Sequence, residues 1–545
     1  MSRELCFLTI AEAARLIESR KLSPVELTQA LLDRITAIDP QVNAYITVTS
    51  ELAMAQARAA EAEVARGDYK GPLHGIPVAL KDIYDTAGIL TSAHSKLWID
   101  NVPTTNAAAT DKLYAAGAVL LGKLATSEFA HGGPDFELPW PPARNPWNTE
   151  HWTGNSSSGS GAATAAGLAL AALGSDTGGS VRIPASYCGT AAIKPTYGLV
   201  SRYGVAPNSF TFDHCGPLAW TVEDCAIVLQ AIAGHDPRDL SSVDRRVPDY
   251  RATLNDGVRG LRIGVIRHFW EEDRQLSPEV GSATDAAIDV LSGLGARLEP
   301  VRVRPLRDYF DVKIIIAESE IFGIHQKDLI ERPGDFGMHF LGLALGGCLF
   351  EGVDYVQAQR ERGRILAEMG DIYRRYDALL TVNIGPAPRM DAYRVVDQWQ
   401  KPSITTPFSV LASPALAVCN GFTKEGLPLS MQIAGRPFDD ATVLRIGHAY
   451  EQATSWRTRR PALTPGRTAP AVTWQPYLAG APEPDAKTRA RVDVFSERAG
   501  LTLPGHLRRQ LYAAAPYLFA MAERMRRGYR KSEQPTNVFR VPDAQ

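Results

Sequence analysis

Residues 153–189 gather hydroxyls and glycines at a density that a purely structural segment does not need. They open with Thr153-Gly-Asn-Ser-Ser-Ser-Gly-Ser-Gly161, pass through an Ala-rich stretch, and close with Gly174-Ser-Asp-Thr-Gly-Gly-Ser-Val-Arg182. Gly178 and Gly179 allow the backbone to turn so that successive N–H groups converge on one point. A hydroxyl beside such a nest is what acyl transfer requires: the oxygen attacks a carbonyl and the N–H groups hold the oxyanion. A flexible linker and a phosphate cradle are the competing readings. A linker would not run into Arg182-Ile-Pro184 and a β-prone segment, and a phosphate loop needs a lysine after its glycines, which is missing here. No G-x-S-x-G elbow surrounds Ser156, Ser160 or Ser180, which argues against an α/β-hydrolase.

The elements that would hold these loops follow from pattern. Thr9-Ile-Ala-Glu12 and Ser23-Pro-Val-Glu26 have capping-box form, and Pro24 takes the favoured first helical position. Val25, Leu27, Ala30, Leu31, Ile35 and Ile38 mark the buried face of the second helix. A third helix spans about 51–66 and stops at Gly67. Small side chains predict a closely packed helix over about 161–172. Short apolar runs at 76–80, 118–122 and 261–266 alternate with helical patterns, which predicts an α/β fold. From Pro461 to Asp485 the chain is rich in Pro, Gly, Ala and Thr (Pro465, Pro470, Pro476, Pro482, Pro484), a linker or a strap laid on the surface. Beyond it, helices are expected over 487–498 and 504–527. Leu507, Leu511, Ala514, Leu518, Met521 and Met525 form one stripe, with a kink or break at Pro516. Arg524, Arg526, Arg527, Arg530 and Lys531 read as a solvated helix end.

Composition narrows the partners. The 545 residues carry a formal net charge of −2, with 45% hydrophobic and 22% charged residues. That balance offers no basic excess for nucleic acid or an anionic membrane. The first residues lack a signal-peptide pattern and no apolar run is long enough to span a bilayer, so a cytoplasmic protein is expected. Six cysteines without a C-x-x-C pair read as reduced, buried thiols, and eleven histidines show no H-E-x-x-H or paired-ligand spacing, so no metal and no cofactor are expected.

Gly178-Gly-Ser-Val-Arg-Ile-Pro184, Gly75-Ile-Pro-Val-Ala-Leu-Lys-Asp82 and Arg144-Asn-Pro-Trp-Asn148 together resemble the amidase-signature family. The resemblance continues through Lys194-Pro-Thr-Tyr-Gly198, Thr221-Val-Glu-Asp224 and Leu427-Pro-Leu-Ser-Met-Gln-Ile-Ala-Gly435, and covers roughly residues 5–460. It implies a large mixed β-sheet covered by helices on both faces. The expected division is a catalytic domain at 1–460, a linker at 461–485 and a small helical C-terminal extension at 486–545, the last similar to the small helical subunits that accompany some family members. It implies Ser180 as nucleophile, Lys81 as base and Ser156, preceded by a cis peptide, as the bridge between them. The oxyanion hole would be the N–H groups of Thr177, Gly178, Gly179 and Ser180, with Asp176 and Arg182 in support. Asn155 and Ser158 stand where the family has glycines, so Ser157 remains the alternative bridge.

The assignment agrees with elementary electrostatics. A lysine with its ordinary pKa of about 10.4 is a poor base at neutral pH. Lys81 follows the apolar run Ile76–Leu80, and burial there would favour the neutral amine. His131, Gly132 and Phe136, with Trp140, are candidate substrate contacts, as is the apolar stretch from Ile314 to Phe350 containing Phe336, Phe340 and Leu343. The expected activity is hydrolysis of a small or aryl carboxylic amide, or a related carbamate or urea, by a Ser-Ser-Lys triad through an acyl-enzyme. The partner is then a small-molecule amide, and a homodimer is compatible with the family. Two alternatives stand: the glutaminase component of a tRNA-dependent amidotransferase, and a catalytically silent binding protein. Against the first, Ser409-Val-Leu-Ala-Ser-Pro-Ala415 replaces the family's Asn-Leu-Ala-Gly-Leu-Pro-Gly, and Lys401-Pro-Ser-Ile404 before it aligns no carboxylate for glutamine.

Overall fold

In the computed structural model, which describes residues 2–473, 481 and 483–526, one mixed sheet of eleven strands organises the chain. The strands are β1 (Tyr45–Val48), β2 (Pro77–Lys81), β3 (Val119–Leu124), β4 (Ala171–Asp176), β5 (Ala191–Lys194), β6 (His214–Ala219), β7 (Arg262–Val265), β8 (Arg297–Pro300), β9 (Ala378–Ile384), β10 (Ala415–Phe422) and β11 (Pro428–Ala434). Their order across the sheet is β1-β3-β2-β4-β6-β5-β10-β11-β9-β7-β8. β2 runs parallel to both β3 and β4, whereas β4, β6, β5, β10, β11 and β9 pair antiparallel in turn. Every residue of β2, β3 and β4 is buried. That is what central strands covered on both faces require.

Local signals account for the element ends. Thr9 and Glu12 complete a reciprocal capping box on the Ile10–Glu18 helix. Ser23 caps the Pro24–Val42 helix by accepting from the N–H groups of Val25 and Glu26, without the reciprocal bond from Glu26. The Ser50–Arg66 helix stops at Gly67, whose φ of 94° closes it. The expected 161–172 helix is corrected: it spans Ser158–Ala166 and ends at left-handed Gly167. The following Ala171–Asp176 becomes β4 because its main chain pairs with β2 on one side and β6 on the other. An Ala-rich run carries no period of its own, so tertiary pairing decides its state.

Beyond residue 460 the chain lies along the body. The segment 461–473 is extended and fastened to the end of the Pro24–Val42 helix: Gln41 Nε2 donates to the Thr464 carbonyl at 2.7 Å, and the Gly466 and Ala469 N–H groups donate to the Ala37 and Pro40 carbonyls. Pro476 and Pro482 lie outside the described residues. The Ala486–Arg498 and Gly505–Met525 helices follow. The second runs on across Pro516 instead of breaking, and its stripe from Leu507 to Met525 joins the main hydrophobic core. It packs on the Leu306–Glu331, Met338–Ala344 and Gly352–Arg375 helices. Its end is not merely solvated. Arg524 pairs with buried Asp311, and Arg526 Nε donates to buried Asp354 at 2.8 Å; Arg527, Arg530 and Lys531 lie outside the described residues. Among the described residues no helix is long and apolar enough to cross a membrane, and no His, Cys, Asp or Glu cluster is arranged for a metal. None of the six cysteines forms a disulfide with another, and five are buried.

Candidate active site

Lys81 is the last residue of β2, and its side chain is wholly buried. Its Nζ lies 2.7 Å from Ser156 Oγ and 2.8 Å from Ser175 Oγ. Burial pushes its pKa down from the ordinary lysine value to about 7, even though Asp213, Asp176 and Cys215 pull the other way. An amine with that pKa is substantially neutral at physiological pH. Ser156 follows a cis peptide from Asn155. Ser157, the alternative bridge, points elsewhere: its hydroxyl donates to the Ser175 carbonyl and accepts from the Ser175 N–H, both at 3.2 Å. It therefore ties the serine loop to β4, while Ser156 meets the lysine.

β4 ends at Asp176, and the turn that follows carries Ser180 into the Arg182–Cys188 helix. Asp176 and Arg182 are buried together as a two-pronged ion pair, at 3.0 Å from Nε to Oδ2 and 2.9 Å from Nη2 to Oδ1. Burial by itself would raise the Asp176 carboxyl; the Arg182 guanidinium, with help from Lys194 and His214, holds it well below the carboxylate range. The same carboxylate accepts from the Gly179 N–H at 2.8 Å and the Val181 N–H at 3.2 Å, which fixes the turn from within. Thr405 Oγ1 donates to the Gly178 carbonyl at 2.5 Å and lies 2.3 Å from where a Cβ on Gly179 would sit. With φ at 140° as well, position 179 admits only glycine. Thr177 Oγ1 donates to Asp213, closing the other side.

Ser180 is half-buried at the floor of a cavity. His131, Gly132, Asn155, Thr177, Gly178 and Lys313 line it on the polar side, and Ile183, Phe310, Ile314, Leu343 and Trp399 on the apolar side. His131 Nε2 meets Glu318 Oε2 at 3.0 Å, and Asn155 Nδ2 donates to the Gly132 carbonyl at 2.5 Å. Phe136 does not line this cavity. It packs with Trp152, Tyr187 and Met390, with Arg144 over its ring. Trp140 is also elsewhere, its carbonyl bonded to His94. Phe336 and Phe340 stack on each other at 4.9 Å beside Phe129 and His325, and leave the lining to Ile314 and Leu343.

Three further residues join the site without having been expected there. Ser175 is the second hydroxyl on Lys81, and Thr405 reaches the turn from a distant segment. Lys313 does carry a local signal, since a single cation inside Val312-Lys-Ile-Ile-Ile316 is out of place unless a cavity receives it.

Comparisons with known proteins agree on one family. A family model described as Amidase matches residues 26–444. The A-subunit of glutamyl-tRNA(Gln) amidotransferase from Geobacter metallireducens is 40% identical over 493 residues, covering 84% of this chain and all of that one. Among solved structures, native peptide amidase from Stenotrophomonas maltophilia superposes with a TM-score of 0.73 at 30% identity, covering 83% of this chain and 98% of that one. A chain from a vestigial protein complex bearing on the evolutionary origins of an s-triazine catabolic enzyme superposes with a TM-score of 0.76 at 32% identity, covering 82% and 98%.

Proposed function

The chain belongs to the amidase family, and from that premise we propose that it hydrolyses a carboxylic amide by a Ser180-Ser156-Lys81 relay through an acyl-enzyme. The observation that carries the proposal is the buried Lys81 amine, 2.7 Å from Ser156 Oγ with its pKa lowered to about 7. A neutral amine has two N–H groups and one lone pair. Lys81 can donate to Ser175 while accepting the Ser156 proton, and Ser156 in turn takes the proton of Ser180 as Ser180 Oγ attacks the carbonyl carbon. The relay runs backwards to protonate the leaving nitrogen, and water then repeats the sequence on the ester. Of the four N–H groups expected to hold the oxyanion, that of Gly179 is directed at Asp176. The role therefore falls to Thr177, Gly178 and Ser180. Asp176 and Arg182 keep the turn in shape, and the helices past residue 485 brace the wall that carries Phe310 and Ile314.

An active-site sulfonyl fluoride should add one sulfonyl group to Ser180, read as a mass shift on its peptide, and Lys81→Ala should lose both labelling and turnover. An unlabelled wild-type protein, inactive across a broad amide panel, would overturn the reading in favour of a silent binding protein. A second reading, the glutaminase of a tRNA-dependent amidotransferase, is favoured by the 40% identity to the Geobacter amidotransferase chain over that chain's whole length. Release of ammonia from glutamine, stimulated by partner proteins and tRNA, would select it.

A further inference from the structure

Lys313 is a cation without an assigned task in the cavity that holds Ser180. It lies on the Leu306–Glu331 helix with its side chain 14% exposed. Its Cε comes within 3.3 Å of the position a Cβ on Gly178 would take, and its Nζ within 4.0 Å, which places the ammonium over the turn that presents the nucleophile. Phe310, Ile314, Leu343 and Trp399 form the apolar wall around it.

Among the described residues no group accepts a hydrogen bond from the ammonium. Among the described residues its one ionic neighbour is Glu318, whose Oε1 is 3.8 Å away and outside hydrogen-bond range. The other oxygen of Glu318 is bonded to His131 at 3.0 Å. Burial would raise the Glu318 carboxyl, but His131 and Lys313 hold it below its ordinary value, so it stays ionised and faces Lys313 as a partial counter-charge. A cation whose side chain is 14% exposed, facing the cavity with no hydrogen-bond acceptor among the described residues, is free to bind an acceptor carried by whatever occupies that cavity.

We infer that Lys313 is a specificity-determining residue that binds a single carboxylate carried by the amide substrate. The inference rests on the amidase reading above and narrows it to acidic amides with an apolar body. A dianion such as a phosphate monoester is disfavoured because Glu318 faces the same space, whereas one carboxylate matches the one spare cation.

The test separates recognition from chemistry. Binding is measured by calorimetry on the full-length Ser180→Ala protein with two matched pairs of ligands. The pairs are N-phenylglutaramic acid and its methyl ester, and 4-(butyrylamino)benzoate and its methyl ester. In at least one pair the acid should bind roughly 10- to 100-fold more tightly than the ester, the scale of a hydrogen bond to a charged group. Adding Lys313→Met should reduce that ratio to less than about threefold, and Lys313→Arg should keep most of it. If Lys313→Met does not fold, as judged by its thermal transition, Lys313→Gln takes its place. Equal binding of acid and ester in both pairs, no binding of any of the four, or a preference that survives loss of the lysine would overturn the inference. Sulfonyl labelling of wild-type Ser180 is independent of these ligands, so a failure here is distinguishable from a failure of the amidase reading.

Discussion

Arg182 grips Asp176 through two parallel N–H···O bonds at 3.0 and 2.9 Å, with both side chains excluded from solvent. The remaining donors of Arg182 reach the Thr405 carbonyl at 2.7 Å, Ser409 Oγ at 2.9 Å and Gln432 Oε1 at 3.1 Å. The ion pair thus fastens the turn bearing Ser180 to β11 and to the Thr405–Ser409 segment. Removing one partner leaves an uncompensated buried charge. Arg182→Met should therefore cost about 3–5 kcal/mol of stability, measured as a fall in the urea midpoint. Arg182→Lys should recover less than half of that, because an ammonium cannot reproduce the fork.

The neighbouring serines should separate cleanly. Ser156→Ala removes the only hydroxyl of the serine loop that meets Lys81, and kcat should fall about 10²- to 10⁴-fold, the usual worth of a positioned proton-transfer group. Ser157→Ala removes two hydrogen bonds to the Ser175 backbone instead. It should lower stability by about 1–2 kcal/mol and kcat by much less. Steady-state kinetics beside denaturation curves would decide, and a reversed ranking would exchange the two roles.

Lys81 sets a pH dependence of definite sign. In the proposed relay it serves as base only when neutral, so kcat/KM should climb about tenfold per pH unit below about 7 and level off above it. Stability follows a different window. Between about 7 and the unfolded lysine value of about 10.4, the unfolded chain binds a proton that the folded chain does not, so stability rises with pH there and is lower on the acid side. Lys194, also buried with its pKa lowered to about 7, adds to the stability effect. Lys194→Met should reduce the slope of stability against pH while the kinetic limb stays near 7.

The C-terminal helix should matter to the cavity wall. Arg524 pairs with Asp311, next to Phe310 and two residues before Lys313, and the Gln400 amide donates to Tyr517 Oη at 2.8 Å beside Trp399. Burial already holds the Asp311 carboxyl above its ordinary value despite Arg524 and Arg307. Arg524→Ala should cost about 3 kcal/mol by leaving that group unpaired, and should change KM more than kcat. A chain ending at Arg460 that kept full stability and activity would refute the bracing role.

Chemistry written in contiguous residues is legible in the sequence. The short runs around Ser180 and Lys81 carry the family resemblance that implies their roles, and the structure brings the Lys81 amine to Ser156. Partners that come from elsewhere in the chain are not legible. Thr405, Ser409 and Gln432 reach Arg182 across more than two hundred residues, and no local pattern encodes that meeting. Ala171 and Ala172, the start of β4, read as the end of a helix because small residues lack a period. Phe136 is near His131 in sequence, yet the turn between them sends it to the Trp152 cluster and away from the cavity. The basic C-terminus conceals ion pairs to Asp311 and Asp354 because those carboxylates occupy distant helices.

In the parallel pairing of β2 with β4, Val78 stands beside Ala171, Ala79 beside Ala172 and Leu80 beside Leu173. Continued by one residue, this register sets Lys81 beside Gly174, one position short of Ser175, whose hydroxyl the amine reaches at 2.8 Å. Successive side chains of a strand alternate between its two faces, so losing or gaining one residue between Gly75 and Lys81 would turn the amine away from both serines. Tolerance of indels is accordingly uneven: a change of length within 461–473 disturbs only the few hydrogen bonds that tie that segment to the Pro24–Val42 helix and Arg144, whereas those few positions of β2 must keep theirs.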